Sequence, residues 1–202
     1  MDDWQQLLVF WFGQLDEGLA DAEHRAQWFK PSVDFDTRAR DLFGAAVENA
    51  ANGGLTDWLA NPRGRLAYIL VCDQIPRNIF CGTEAAFATD QLALRAAREG
   101  IEEGYDPDLH LDERCFFYMP FEHSEAILEQ HVAVGLFTAL RDVSPKPVRH
   151  IAGNYLRFAQ QHRDIILQCG RFPHRNDVLG RESSVQEKAF VAAGDGFGQI
   201  LN

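Results

Sequence analysis

The spacing of apolar residues constrains the fold of this chain more than any other feature. Between residues 35 and 51 they recur every three or four positions, as on the buried face of an α-helix, before Gly53 and Gly54. The strict alternation that marks a half-buried strand is missing. Further helices are predicted at 3–12, 64–74 (stopped by Pro76), 84–102, 120–140 (opened by Pro120), 144–169 and after the capping sequence Ser184-x-x-Glu187. We therefore expect an all-α fold of about seven or eight helices packed in antiparallel pairs.

The composition is that of a globular protein. A chain of 202 residues, 46% of them hydrophobic, suits one helical domain spanning 1–202. Four cysteines without paired spacing read as thiols of a reducing compartment. The N-terminus is acidic rather than basic, and no apolar run is long enough to cross a membrane. We therefore expect a cytoplasmic protein without membrane association.

The charge of the chain is unevenly distributed. The net charge of −11 argues against nucleic-acid binding. Between residues 144 and 181, however, there are seven Lys or Arg residues and only two Asp or Glu residues, so this segment carries a net charge of +5. A basic segment in an acidic protein either docks on the protein's own carboxylates or binds an anionic ligand.

Two polar residues interrupt the apolar stripes of the helix predicted at 144–169. His162 follows Tyr155 and Phe158 on one stripe, and Arg163 follows Leu156 on the next. Both side chains should therefore point inward. A buried arginine must be paired or must bind an anion, whereas a buried histidine is often only a hydrogen-bonded core residue.

Asp73 likewise continues an apolar stripe, that of Leu66, Ile69 and Leu70. It should point inward near a helix C-terminus, where the helix dipole disfavours a negative charge. Asp73 therefore needs a cation, either Arg77 after the Pro76 turn or an arginine from the basic segment. An internal ion pair and a functional site are both compatible with this pattern.

A short acidic stretch follows Pro120. Glu122, Glu125 and Glu129 would form one carboxylate strip on the predicted helix, with His123 beside it. Such a strip is compatible with a solvated face, an acid/base pair or a hard-cation site. The histidine spacing of helical transition-metal sites is absent, so no metal site is predicted.

Two helix-exit turns present similar side chains on a backbone fixed by proline. Arg77 and Asn78 follow Pro76, and the second turn contains Arg171, His174, Arg175 and Asn176 around Pro173. Arginine forks suit carboxylates or phosphates, and a neighbouring histidine can exchange a proton near neutral pH. Capping of helix carbonyls would use the same residues.

Several of these segments together resemble a known family. They are Phe10-Trp11-Phe12-Gly13, Asp73-Gln74-Ile75-Pro76-Arg77-Asn78, Ala86-Phe87 with Asp90, Tyr118-Met119-Pro120-Phe121-Glu122-His123-Ser124-Glu125, Gly170-Arg171-Phe172-Pro173-His174-Arg175-Asn176 and Leu179-Gly180-Arg181. In this order they are similar to the bacterial family of domain of unknown function 924. Ile75 and Phe121 stand where the family more often has Phe and Leu, and both keep the apolar character. The resemblance implies an all-helical fold similar to tetratricopeptide-like superhelices, and it implies no activity.

The polar residues support one leading hypothesis about function. A cleft in the helical array would bind a small anionic molecule and act on it by hydrolysis or proton transfer, without an organic cofactor. The candidate catalytic residues are His123, His162, His174, Asp73 and Glu122, and the candidate ligand-binding residues are Arg77, Asn78, Arg163, Arg171, Arg175 and Asn176.

Two other functions use the same residues differently. In a tetratricopeptide-like module that grips a peptide or a partner protein, the polar network would be purely structural. A metal-dependent enzyme using the carboxylate strip is the third possibility.

Overall fold

The computed structural model describes residues 3–28, 30 and 32–193. Within these residues the chain is all-α, which confirms the predicted fold class, and nine α-helices are present. They are α1 (Asp3–Phe12), α2 (Ala22–Gln27), α3 (Val33–Ala51), α4 (Pro62–Ile79), α5 (Asp90–Glu102), α6 (Leu111–Glu122), α7 (Ile127–Val143), α8 (Arg149–Cys169) and α9 (Val185–Ala192). Short 3-10 turns lie at Thr56–Ala60, Glu84–Phe87, Asp106–Asp108 and Pro173–Arg175.

Helix α4 is the centre of the core. It packs against α1, α3, α5 and α6, and nearly all of its side chains are buried because neighbours cover it on every side. An aromatic cluster joins α1 to α6, where the ring of Phe116 meets those of Trp11, Phe12 and Trp28. Helices α7 and α8 pack on each other and on the other side of α6. The C-terminal ends of α4 and α6 are therefore held in the interior.

Helix α4 does not stop at Pro76 as predicted but continues for one more turn to Ile79. A proline within a helix deprives the carbonyl four residues earlier of its usual N–H donor, here the carbonyl of Cys72. The hydroxyl of Thr89, buried before α5, donates to that carbonyl at 2.6 Å. This substitute bond satisfies the free carbonyl and allows the extra turn.

The prediction of a helix opening at Pro120 is also wrong. Pro120 lies in the last turn of α6, which ends at Glu122, and α7 begins only at Ile127. The side chain of Gln130 in α7 is fully buried and donates to the carbonyl oxygens of Glu122 and Ser124, both at 2.6 Å. This side chain caps the end of α6 and ties it to α7. The predicted strip of Glu122, Glu125 and Glu129 is accordingly split between two helices and the link that joins them.

The segment predicted as one helix at 84–102 is divided as well. Residues Glu84–Phe87 form a 3-10 turn, and α5 begins only at Asp90. None of the helices in the described part of the chain is long and apolar enough to cross a membrane.

Candidate functional site

The candidate site lies where the C-terminal ends of α4 and α6 meet the start of α5, the middle of α8 and the 3-10 turn Pro173–Arg175. The extra turn of α4 after Pro76 carries Arg77 to a position one turn beyond Asp73. Nη1 of Arg77 lies 3.2 Å from Oδ1 of Asp73. The local ion pair considered from the sequence is therefore present, although Asp73 lies within α4 rather than at its end.

Asp73 is buried and also contacts a histidine from a distant part of the sequence. Its Oδ1 lies 2.7 Å from Nδ1 of His123, the residue that follows α6, and its Oδ2 accepts a hydrogen bond from Gln74. Burial alone would raise the pKa of Asp73, but the Arg77 charge and the His123 contact outweigh it and hold this pKa well below its usual range. Asp73 is therefore a carboxylate that fixes the orientation of the His123 ring.

His123 is held as a neutral imidazole. Burial first, and the Arg77 charge second, lower its pKa below the ordinary value, although Asp73 opposes this shift. Because Nδ1 is directed at Asp73, Nε2 is the nitrogen that is available to other groups. Among the described residues no hydrogen bond engages Nε2, and the side chain remains 14% exposed.

A second carboxylate–histidine pair lies beside the first. Oε1 of Glu122 is 2.8 Å from Nδ1 of His162 in α8, and the His162 ring is 6.2 Å from the His123 ring between centroids. Glu122 and His123 are consecutive residues, so the capped end of α6 directs one toward α8 and the other toward α4. The inward position predicted for His162 agrees with this contact.

Asp90 extends the network to the first turn of α5, where the helix dipole favours a negative charge. Arg77 donates to both of its carboxylate oxygens, at 2.8 and 3.0 Å. Asp73 and Asp90 together raise the pKa of Arg77 against the lowering effect of burial. All of the charge on Arg77 is thus compensated within the protein.

Arg175, in contrast, is a buried cation without a close counter-ion. The residue is 7% exposed, and its only ion pair among the described residues joins Nη1 to Oδ2 of Asp90 at 3.8 Å, beyond hydrogen-bonding distance. The rings of Phe87 and Phe172 flank its guanidinium, with centroids 4.8 and 4.6 Å away, and Nε is buried without an acceptor. Burial, together with the charge of Arg77, lowers the pKa of Arg175 to about 10. The surroundings therefore compensate this charge incompletely.

His174 lies against Phe172, with 5.5 Å between ring centroids, and its Nδ1 is buried without a hydrogen-bond partner. Burial is the main reason that its pKa falls to about 3, and the charge of Arg175 is the next. This histidine is therefore neutral under physiological conditions.

The turn that carries these two residues is held in place by Glu125. Its carboxylate accepts a hydrogen bond from the backbone N–H of Phe172 at 2.8 Å and a forked pair from Arg181 at 2.7 and 3.0 Å. Arg181 also donates to the carbonyl of Phe172 at 3.1 Å. The basic segment thus docks on one of the protein's own carboxylates here, whereas Arg175 has no carboxylate within hydrogen-bonding distance.

The structure brings seven of the predicted site residues into contact with one another or with their immediate neighbours: Asp73, Arg77, Glu122, His123, His162, His174 and Arg175. The other four have separate partners: Asn78, Arg163, Arg171 and Asn176. Asn78 donates to Asp36 of α3 at 2.8 Å, and Arg171 forms an ion pair with Glu187 of α9 at 2.6 Å. Asn176 donates to Ser183 at 3.0 Å.

The inward position predicted for Arg163 is wrong. Its side chain is 27% exposed and pairs with its neighbour Asp164 at 2.7 Å. The long arginine side chain reaches past the apolar stripe to the surface, which the shorter imidazole of His162 does not do.

Sequence reasoning missed several residues that shape the site. Asp90, Phe87 and Phe172 surround Arg175, and only their occurrence in the family segments marked them. Gln130 donates to carbonyl groups left free at the end of α6, and Thr89 donates to the carbonyl left free by Pro76. The sequence indicates these free carbonyls only once the helix bounds are known.

The arrangement provides two groups: the neutral imidazole of His123, oriented by Asp73, and the guanidinium of Arg175, which has no counter-ion within hydrogen-bonding distance. The first is suited to accept or donate a proton, and the second to hold an oxyanion. No group of three or more His, Cys, Asp or Glu side chains within the described ranges converges as ligands for a metal ion.

Comparisons with known proteins agree with the resemblance noted in the sequence. The family model of a bacterial protein of unknown function (DUF924) matches residues 7–195. The solved structure of a protein of unknown function from Agrobacterium tumefaciens is similar, with a TM-score of 0.80 and 36% identity over 95% of this chain and 97% of that one. No curated protein matches the chain. The chain therefore belongs to the bacterial family of domain of unknown function 924.

Proposed function

We propose that the protein binds a small anionic molecule at Arg175 and acts on it by hydrolysis or proton transfer, with His123 as the general base. The observation that carries the proposal is the buried, incompletely compensated guanidinium of Arg175. Asp90, Arg77 and Asp73 connect it to His123, which Asp73 orients. A buried charge is costly unless a partner compensates it, so an anion from solution would be held there favourably.

The chemistry follows from the state of His123. Its Nε2 would take a proton from water or from the ligand, and Asp73 would stabilise the imidazolium through Nδ1–H. The anionic group held by Arg175 would keep the reacting part of the molecule beside the imidazole. Because its pKa is lowered, His123 is already unprotonated near neutral pH and ready to act as a base.

A thermal-shift screen tests the binding step. Phosphorylated and carboxylated small molecules would be tested against the unaltered protein, Arg175→Gln and Arg163→Gln. Arg163 serves as the control because, within the described ranges, its ion pair is with Asp164 at the surface. A ligand at 100 times its Kd stabilises a fold by about 2.7 kcal/mol, and we expect this shift in the unaltered protein and in Arg163→Gln but not in Arg175→Gln.

The catalytic step is tested with the molecules that bind. Incubation in D₂O followed by NMR detects both a hydrolysis product and deuterium incorporated by proton exchange. The variant His123→Gln should retain binding and lose roughly 100-fold or more of the rate, as expected for removal of a general base. A screen with no binding in any arm, together with an Arg175→Gln variant that is only less stable, would overturn the proposal.

The alternative function, a helical module that grips a peptide, has one observation in its favour. Apolar side chains on α7 remain exposed: Leu128 by 73%, Val132 by 39% and Val143 by 68%. In that case substitution of Leu128 and Val132 by Ser would abolish partner binding in a pull-down, and Arg175→Gln would leave it unchanged.

A further inference from the structure

The charges around Arg175 limit the chemical class of ligand that can bind there. The acids that act on it are Asp73, Asp90 and Glu125. Glu125 is neutralised by Arg181, and Asp73 and Asp90 share Arg77. With Arg175 included, three arginines balance three carboxylates, so these six groups together carry no net charge. Arg175 is beyond hydrogen-bonding distance of Asp90, but the six groups have no surplus of positive charge.

This balance limits the charge of the ligand. A monoanion would pair with Arg175 and leave the cluster with a single negative charge. A phosphate monoester carries about −1.5 to −2 near neutral pH and would leave almost twice as much uncompensated charge in a largely buried place. Because His174 is neutral, it offers no additional positive charge. The cluster therefore suits one negative charge better than two.

The surroundings of the guanidinium limit the shape of the ligand. The rings of Phe87 and Phe172 lie against it, with centroids 4.8 and 4.6 Å from Cζ. An anion binds the N–H groups along the edge of the guanidinium plane, because these groups point outward in that plane. The face of a phenyl ring carries a negative partial charge and repels an oxyanion. The two coplanar oxygens of a carboxylate match a guanidinium edge, whereas a tetrahedral phosphate also directs oxygens out of that plane.

We infer that the ligand of this site is a small monocarboxylate, bound edge-on through the carboxylate group by Arg175. The inference rests on the proposed function, because it specifies the anion for the same site. It concerns only the group that Arg175 holds.

The experiment separates charge from shape with four probes. Acetate and benzoate are planar monoanions, dimethyl phosphate is a tetrahedral monoanion, and phenyl phosphate is a tetrahedral dianion with the same aromatic body as benzoate. Binding is followed in protein labelled with ¹⁵N-arginine, through the Nε–H resonances of the side chains. The signal of Arg175 is identified by its absence from the spectrum of Arg175→Gln. The variant Arg175→Lys keeps the positive charge but removes the paired N–H donors of the guanidinium.

We expect acetate or benzoate to shift the Arg175 signal and to bind at least roughly tenfold more tightly than either phosphate. Arg175→Lys should bind them more weakly. Tighter binding of dimethyl phosphate or phenyl phosphate that depends on Arg175 would overturn the carboxylate inference and leave the proposed anion-binding function standing. If no probe moves the Arg175 signal up to millimolar concentrations, the proposed function fails, and this inference fails with it.

Discussion

His174 should make the stability of this protein depend on pH in a way that a single substitution removes. An unfolded histidine takes up a proton near the ordinary pKa of 6.5, whereas burial and the neighbouring charge lower the pKa of His174 to about 3 in the fold. Between these two values the unfolded chain binds more protons than the folded one, so the free energy of unfolding decreases as the pH falls. The stability from this group is complete above pH 6.5 and is lost as the pH approaches 3.

The magnitude follows from the two pKa values. Between pH 7 and pH 5, a histidine that titrates at 6.5 when unfolded and near 3 when folded costs about 2 kcal/mol of stability. The groups acting on it are Arg175, His162 and Arg181, which lower its pKa, and Glu125, which raises it. Because Nδ1 has no hydrogen-bond acceptor among the described residues, a proton added to His174 would be buried without compensation.

The assay is urea unfolding followed by tryptophan fluorescence at both pH values. Other groups also titrate in this range, so the comparison is between variants. The unaltered protein should lose about 2 kcal/mol more than His174→Gln between pH 7 and pH 5. His131→Gln, at an exposed position of α7, should behave like the unaltered protein. An equal loss in His174→Gln and in the unaltered protein would refute the reasoning, because His174 would then titrate equally in both states.

Two further predictions concern the carbonyl groups that the fold exposes and then satisfies. Gln130→Leu removes the donor that caps the end of α6 and should cost about 2 to 3 kcal/mol in urea unfolding, whereas a cost below about 0.5 kcal/mol would mean that water replaces the amide. Thr89→Val should cost about 1 to 2 kcal/mol because the carbonyl of Cys72 loses its donor. Thr89→Ser keeps the hydroxyl and should keep most of the stability, and equal losses in both Thr89 variants would contradict this account.

Helical periodicity predicts which segments of this chain are helical better than it predicts where each helix begins and ends. The apolar stripes gave most of the buried faces of α3, α4 and α8, including the inward position of Asp73. On α8, however, Phe158 and Arg163 lie on the predicted stripes and are 40% and 27% exposed. Local rules for proline predict that a helix stops at Pro76 and that another starts at Pro120. Each lies instead inside the C-terminal part of a helix, and at Pro76 a side chain from elsewhere in the chain satisfies the free carbonyl. Such tertiary compensation has no local signal in the sequence.

The sequence predicts which residue types form the candidate site, but it does not predict which side chains contact one another. The contact between Asp73 and His123 joins residues 50 positions apart, and no spacing rule connects them. The two exit turns look alike in the sequence, yet Arg171 pairs with Glu187 while Arg175 packs against the rings of Phe87 and Phe172. Outside helices the direction of a side chain follows from what the turn docks on, here Glu125, rather than from periodicity.

The consecutive position of Glu122 and His123 has a mechanical consequence. Adjacent Cα atoms are separated by a fixed distance of about 3.8 Å across a trans peptide, so the residues that make the two histidine contacts are joined by a single peptide unit. A displacement of α8 that pulls on Glu122 would be transmitted directly to His123 and thus to α4. The end of α6 therefore joins the two helices through neighbouring residues, and inserting one residue between positions 122 and 123 would separate the two contacts without removing a side chain.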